Sequence, residues 1–269
     1  MSDNDATPPL TTEQYLDLFR QGTEHLSAMA ANMEVCWNPN EPNLPRLHNV
    51  YARNLITCYV AKFAELSSAI LDAVKKEHYL SYALCGRSLI ENAATLRYYS
   101  IHKYSPLFEK GGVDLKRLIE VDDQHLRGSR FDWESFFTKD YQKLWESAAQ
   151  RNEPKADNKS KAITVDRNSS TQPNVVRVGE CIKSWAAVSP GIGVVYDLFC
   201  DMVHPNIGST FLVASVGAGG LYFAKHRGES VGKRIFERSF PMLVSATQKQ
   251  IGESLAVLMA TIWADDELP

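Results

Sequence analysis

Several features that would assign this chain to a large protein class are missing from its sequence. The cysteines are odd in number and far apart, and no C-x-x-C pair occurs among Cys36, Cys58, Cys85, Cys181 and Cys200. Neither a zinc knuckle nor a disulfide framework is therefore indicated. No apolar run reaches the ~18 residues of a membrane span, and the polar start MSDNDATPPL predicts no signal peptide. We expect a reduced, cytoplasmic protein with no membrane partner.

An excess of basic charge is also missing. The 269 residues include 29 Lys and Arg against 32 Asp and Glu, a net charge of -3. A dedicated nucleic-acid binder with a basic surface is not indicated, although a local basic patch is compatible with these numbers. With 44% hydrophobic residues, the composition is that of a folded globular chain.

Helical periodicity dominates the sequence, and the predicted long helices are joined by short connections, as in an antiparallel bundle. We predict helices over about 11–36, 47–76, 80–101, 175–188, 191–204 and 240–263, with shorter ones near 115–119 and 133–145. The polar stretch 151–173 predicts a loop or a disordered insertion, because it has few large apolar side chains to bury.

One segment breaks the helical pattern. Residues 211–216 and 221–224 are strand-like and flank a glycine-rich turn, which predicts a small β-hairpin near 211–224. The predicted fold class is thus all-α, an antiparallel helical bundle with one hairpin. We divide the chain into an N-terminal helix and linker, 1–44, and a helical domain, 45–269, that contains the insertion.

The helix predicted over 80–101 carries two charges in an apolar stripe. Arg87 and Glu91 lie one turn apart between Leu84 and Ala94. Charges in such a stripe need partners, because an unpaired buried charge costs several kcal/mol or more. The two residues either form an ion pair inside the bundle or line an internal polar site, and the sequence leaves both open.

The helix predicted over 191–204 places Asp197, Asp201 and His204 on one face. An amphipathic helix that turns its acidic side to water explains the two aspartates. His204 is followed at once by Pro205, where the helix must end and its dipole favours a protonated imidazole. A histidine held there beside Asp201 could act as a general acid or base.

These two helices resemble a bacterial family of unknown function that is similar to the HEPN superfamily of helical bundles. The resemblance covers about residues 45–104 and 175–265. Its motifs are R-x-x-x-E and Y-x-x-x-C-x-x-x-H-P, here Arg87, Glu91, Tyr196, Cys200, His204 and Pro205. HEPN proteins occur in toxin–antitoxin pairs, abortive infection and other antiviral defence.

The resemblance implies a homodimer that cleaves RNA without a metal ion or cofactor, and that has an antitoxin or another defence protein as partner. His204 would handle a proton of the ribose or leaving group, and Arg87 would stabilise phosphate charge. Glu91 and Asp201 would orient them, and Tyr196 would supply a hydroxyl. HEPN nucleases carry an arginine separated from the histidine by four to six residues, whereas the corresponding positions 197–199 here are Asp, Leu and Phe. That departure favours the alternative, a catalytically silent bundle that binds a partner protein or a nucleotide.

Two further sets of residues have side chains of the types that bind RNA or metal ions. Lys225, Arg227, Lys233 and Arg234 form a basic cluster beside the hairpin, which either contacts an RNA backbone or is a solvated surface. The two motif helices also carry side chains of the types that bind metal ions, namely Glu91, Asp197, Asp201 and His204. However, the paired Glu-x-x-His motif of di-iron bundles is absent from the sequence, and we expect no metal.

Overall fold

The computed structural model describes residues 10–35, 41–108, 113–126, 138–143, 146, 176–212, 214–222 and 229–264. These residues are mostly helical, which confirms the predicted all-α class. The helices are α1 (Thr12–Ala31), α2 (Leu44–Lys75), α3 (Tyr79–Tyr99), α4 (Ser105–Phe108), α5 (Leu115–Leu126), α6 (Val178–Ala186), α7 (Pro190–Val203), α8 (Ile207–Phe211) and α9 (Val231–Met259), with a π-helix (Ser100–Tyr104) between α3 and α4. Within this described part, no helix combines the length and the apolar character needed to cross a bilayer. The predicted insertion at 151–173 lies outside it, and the helix near 133–145 lies largely outside.

Local sequence sets where the first helices begin. Thr11 and Gln14 form a capping box: the Gln14 N–H donates to Thr11 Oγ1 at 3.2 Å, and the Thr11 N–H donates to Gln14 Oε1 at 2.7 Å. The predicted start of α1 is therefore confirmed, but the helix ends at Ala31, earlier than predicted. α2 begins at Leu44, because Asn43 accepts a hydrogen bond from the Arg46 N–H at 3.0 Å.

One hydrophobic core joins the helices. α2 and α3 pack along each other after a short turn at residues 76–78, and α9 packs against both. Phe63, Leu89, Phe199 and Phe240 are among its largest fully buried side chains. Phe19 of α1 belongs to the same core, with its ring centroid 5.4 Å from that of Phe240. The helix predicted as a separate N-terminal segment therefore packs on the bundle.

α3 and α7 pack closely and run antiparallel. Gly86 lies against Phe199, and Glu91, further along α3, lies against Tyr196, which is earlier in α7. A Cβ added at Gly86 would stand 2.6 Å from Phe199 Cε2. The missing side chain at 86 thus permits the close approach of the two helices that carry the predicted site residues.

The last helix begins nine residues earlier than predicted. Ser230 caps α9 by accepting a hydrogen bond from the Lys233 N–H at 3.2 Å. Pro241 therefore lies inside the helix and cannot donate to the carbonyl of Glu237, four residues before it. The Thr12 hydroxyl of α1 donates to that carbonyl at 3.5 Å, so a second helix satisfies the acceptor that the proline leaves.

The predicted hairpin is present and forms part of a small sheet. β1 (Ser215–Gly217) pairs antiparallel with β2 (Gly220–Tyr222), within the predicted range. Gly220, at the turn, has a φ of 123°, which side chains rarely allow. The prediction missed β3 (Glu229–Ser230), which pairs with the other edge of β1 and leads directly into α9.

A polar network is buried where α2, α5 and the end of α9 meet. His48 and Asp122 have fully buried side chains, with His48 Nδ1 2.8 Å from Asp122 Oδ2. His48 Nε2 lies 3.0 Å from Thr261 Oγ1, and the Thr261 hydroxyl donates to the Leu258 carbonyl at 2.7 Å. A hydroxyl has one proton to donate, so His48 Nε2 must carry the proton of its bond to Thr261.

The same network continues to a second histidine. Tyr104 OH donates to Asp122 Oδ1 at 3.0 Å and lies 3.4 Å from His125 Nδ1, and Tyr59 OH lies 2.8 Å from His125 Nε2. The Tyr99 ring stacks on the His125 ring at a centroid distance of 3.8 Å. Burial lowers the pKa of His125 to about 3, so its ring is neutral. Tyr59 then donates to His125, which donates to Tyr104.

This network attaches the segment after α9 to the bundle. Beside His48, the Asn49 side chain donates to the Trp263 carbonyl at 2.9 Å and accepts the Trp263 N–H at 3.0 Å. The Trp263 ring also meets the His48 ring edge to face, at 5.3 Å. The hydrogen bonds thus connect α2, the π-helix, α5 and residues 261–263.

Replacement of His125 by Gln is expected to weaken the pH dependence of stability. In the unfolded chain a histidine takes up a proton near pH 6.5, whereas folded His125 stays neutral down to about pH 3. The unfolded state therefore binds more protons between these values, and stability falls as the pH is lowered, by at most about 1.4 kcal/mol per pH unit from this residue. Chemical denaturation between pH 7.5 and 4 measures the slope. The exposed His25→Gln variant should keep the wild-type slope, and an unchanged slope in His125→Gln would contradict the assignment.

Candidate functional site

Arg87 and Glu91 form an ion pair, the first of the two alternatives, but at the surface between α3 and α7 and not inside the bundle. Arg87 Nε donates to Glu91 Oε1 at 2.8 Å, and the two side chains are 30% and 27% exposed. The helix stripe that carries the pair is open to solvent at one end. Leu84 is 48% exposed, whereas Ala94 is fully buried. Both charges therefore remain in contact with water.

Tyr196 of α7 completes a three-residue cluster. Its hydroxyl donates to Glu91 Oε1 at 3.0 Å, the same oxygen that accepts from Arg87. The Arg87 Cζ atom lies 5.9 Å from the centroid of the Tyr196 ring. Thus the structure brings together three of the five residues predicted for catalysis.

The electrostatics of this cluster fix the protonation of its members. The hydrogen bond to Glu91 raises the pKa of Arg87, so the guanidinium is charged at any physiological pH. Burial raises the pKa of Tyr196, and the neighbouring Cys200 thiol and Glu91 carboxylate raise it further. Tyr196 is therefore a hydrogen-bond donor and no base at neutral pH. The cluster offers one cation, one anion and one neutral hydroxyl.

His204 and Asp201 lie beyond this cluster at the end of α7. His204 is the exposed C-cap residue, and its backbone N–H donates to the Cys200 carbonyl at 3.2 Å. Its imidazole makes no hydrogen bond or ion pair within the described part of the chain. Asp201 accepts a hydrogen bond from the Asn206 side chain at 2.7 Å. The expected pairing of Asp201 with His204 is therefore not formed.

Arg87 and His204 lie at neighbouring levels of the antiparallel α3–α7 pair. Gly86 lies against Phe199 and Glu91 against Tyr196, so Arg87 is level with about Cys200. His204 follows Cys200 by one further turn, about 6 Å along the axis.

The predicted RNA-binding residues are described only in part. Lys225 and Arg227 lie outside the described residues. Lys233 and Arg234 are exposed in the first turn of α9, and Lys233 Nζ lies 3.9 Å from Glu237 Oε1. A single basic patch of these four residues remains a prediction.

The sequence reading missed one arrangement that has the form of a catalytic triad. Asp122, His48 and Thr261 follow one another in the order of acid, base and hydroxyl nucleophile. All three are buried, and the Thr261 proton is donated to the Leu258 carbonyl. A hydroxyl without access to substrate cannot act as a nucleophile, so the arrangement is structural. Elsewhere in the described ranges, no group of three or more His, Cys, Asp or Glu side chains could hold a metal ion.

No family model matches the chain, and neither a curated protein nor a solved structure matches it. A function for this chain therefore has to be argued from the geometry of the site.

Proposed function

We propose that this chain is a HEPN-like protein of a bacterial antiviral defence or toxin–antitoxin system, and that it cleaves RNA without a metal ion at the α3–α7 edge. The observation that carries the proposal is the convergence of Arg87 and Tyr196 on one oxygen of Glu91, with His204 eight residues after Tyr196 on α7. Within the described part of the chain, Arg87 uses only Nε in a protein hydrogen bond. Its terminal nitrogens are thus available to a phosphate.

In the proposed reaction, the His204 imidazole accepts the proton of the ribose 2′-hydroxyl. The 2′-oxygen bonds to phosphorus, the bond from phosphorus to the 5′-oxygen breaks, and the imidazolium returns the proton to that oxygen. Arg87 stabilises the negative charge on the phosphate oxygens as the bond forms. The products are a 2′,3′-cyclic phosphate and a 5′-hydroxyl.

A silent binding module is the second candidate, and a different observation favours it. Glu91 already neutralises Arg87, and Asp197 and Asp201 are exposed on the face of α7 that a phosphate would approach. Carboxylates repel a phosphate at short range. In that case the cluster would bind a partner protein or a nucleotide and would carry out no reaction.

Purified protein should cleave RNA in excess EDTA and leave 2′,3′-cyclic ends. We expect His204→Ala and Arg87→Ala each to lose at least about a hundredfold in rate, as is typical for a general base or a charge-stabilising group. Gel assays with structured and unstructured RNA, and end analysis of the fragments, measure this. His25→Ala and Arg53→Ala, at exposed positions on α1 and α2, serve as matched controls.

Two results would contradict the assignment. Equal cleavage by all five proteins would point to another site or a contaminant. No cleavage by a well-folded wild type, with or without a co-purified partner, would favour the binding module.

We also propose that the same face forms a homodimer. Leu80 and Leu84 of α3, about two turns and one turn before Arg87, are 40% and 48% exposed. Exposed apolar side chains on one helix stripe are typical of a surface that a partner covers.

Light scattering should give a mass of twice the 30.2 kDa chain for wild type. Leu84→Lys should shift the equilibrium to monomer, because it would place a charge in the apolar contact. Val35→Lys, at an exposed apolar position after α1, should stay dimeric. A monomeric wild type at micromolar concentration would rule out this interface, and so would an unchanged dimer in Leu84→Lys.

A further inference from the structure

A cavity of about 590 Å³ lies between α1 and α9, above α2 and α3. Ligand pockets in proteins typically measure ~300–1,000 Å³, so it is of ligand size. The side chains around it are mainly apolar, with Leu18, Leu26, Met29, Ile251, Leu255 and Met259 on its two long walls. Leu18 and Met29 are eleven residues apart on α1, so the cavity extends about 16 Å along the helix.

Small residues create this space. Gly22 and Gly252 face each other from α1 and α9, and Ser67 contributes from α2. A Cβ added at Gly22 would stand 2.7 Å from Gln248 Nε2, the group that donates to the Leu18 carbonyl at 3.2 Å and connects the two helices. A Cβ added at Gly252 would meet no atom within 4 Å. The two walls of the cavity are therefore in contact near Gly22, whereas there is free space next to Gly252.

The cavity lies directly above the core of the bundle. Leu89, Phe19 and Thr247 are among its lining residues and are at most 2% exposed, so it ends on close-packed side chains. Its open part is bounded by the walls, where Leu18 and Met259 are 42% and 44% exposed. The volume of this space is that of a small-molecule site.

The lining also has little polar character to offer a ligand. The Thr247 hydroxyl donates to the Leu243 carbonyl at 2.6 Å, and the Thr23 hydroxyl donates to the Phe19 carbonyl at 2.7 Å. No Asp, Glu, Lys or Arg is among the lining residues of this cavity, and His25 is its one titratable group. A charged ligand would lose its hydration without gaining a counter-charge.

We propose that this cavity is a binding site for an uncharged, elongated apolar small molecule, such as an alkyl chain with a neutral polar end. Two observations carry the assignment: the mainly apolar walls of a space of small-molecule size, and the absence of ionised side chains among its described lining residues. The site is independent of the proposed RNA cleavage, because Leu89 and Arg87 are about 200° apart around α3.

The full-length protein should bind the uncharged fluorophore N-phenyl-1-naphthylamine, with increased emission. 1-Decanol should displace the probe at about tenfold lower concentration than decanoate or decyltrimethylammonium, a difference of ~1.4 kcal/mol. 1-Decanol should also raise the melting temperature of the protein. Equal displacement by all three chains would overturn the proposed ligand chemistry, and no probe binding would overturn the site.

Gly252→Leu should fill the space and weaken probe binding at least about tenfold, a loss of ~1.4 kcal/mol. The fold should tolerate the change, because a helical glycine is replaced by a better helix former. Gly179→Leu is the matched control: this glycine lies in α6 and also has no atom within 4 Å of an added Cβ. Met29→Trp fills the cavity from the opposite wall as a second variant. Wild-type affinity in folded Gly252→Leu and Met29→Trp would overturn the proposal.

Discussion

The contact between Gly86 and the Phe199 ring is the constraint on which the rest of the site depends. A glycine inside a helix costs about 1 kcal/mol relative to alanine, but here any side chain would collide with the ring. The Tyr82 ring then meets Phe199 edge to face at 5.3 Å, and its hydroxyl lies 2.9 Å from Ser239 Oγ of α9. One close approach thus brings α3, α7 and α9 together and sets the distance across which Tyr196 reaches Glu91.

The cluster at the α3–α7 edge is organised more by geometry than by charge attraction. A partly exposed ion pair contributes little to stability, with a median of ~0–1 kcal/mol, so Arg87 and Glu91 are not required to hold the fold. Their value is positional, since Glu91 Oε1 accepts from both Arg87 and Tyr196, and the Arg87 guanidinium lies beside the Tyr196 ring. A guanidinium held in this way loses less conformational entropy when it binds an anion. This order is compatible with catalysis and with simple recognition, which is why the two candidate functions share the same residues.

Sequence reasoning succeeded where the relevant partners are close along the chain. The start of α1 near residue 11 and the four-residue spacing of Arg87 and Glu91 are local patterns, and the structure contains the helix start and an ion pair between these two residues. The contact of Tyr196 with Glu91 spans 105 residues, and only the paired motifs pointed to it. The buried network around His48 joins residues 74 and 213 positions apart, and no local pattern indicates such pairs. The predicted start of α9 at about residue 240 is wrong, and the helix continues through Pro241, whose missing N–H is compensated by a hydrogen bond from α1.

α3 is the element through which these separate features are connected. Its exposed side carries Arg87 and Glu91, its buried side places Leu89 at the floor of the cavity, and its end continues into the π-helix that directs Tyr104 to Asp122. A π-turn has one more residue than an α-turn, so it changes the direction of the side chains that follow it. A ligand in the cavity could influence Arg87 only if it bound one position of α3 more tightly than another. The core packing around Leu89 and Phe199 resists such movement, so ligand binding in the cavity and the chemistry proposed at Arg87 are expected to be independent of each other.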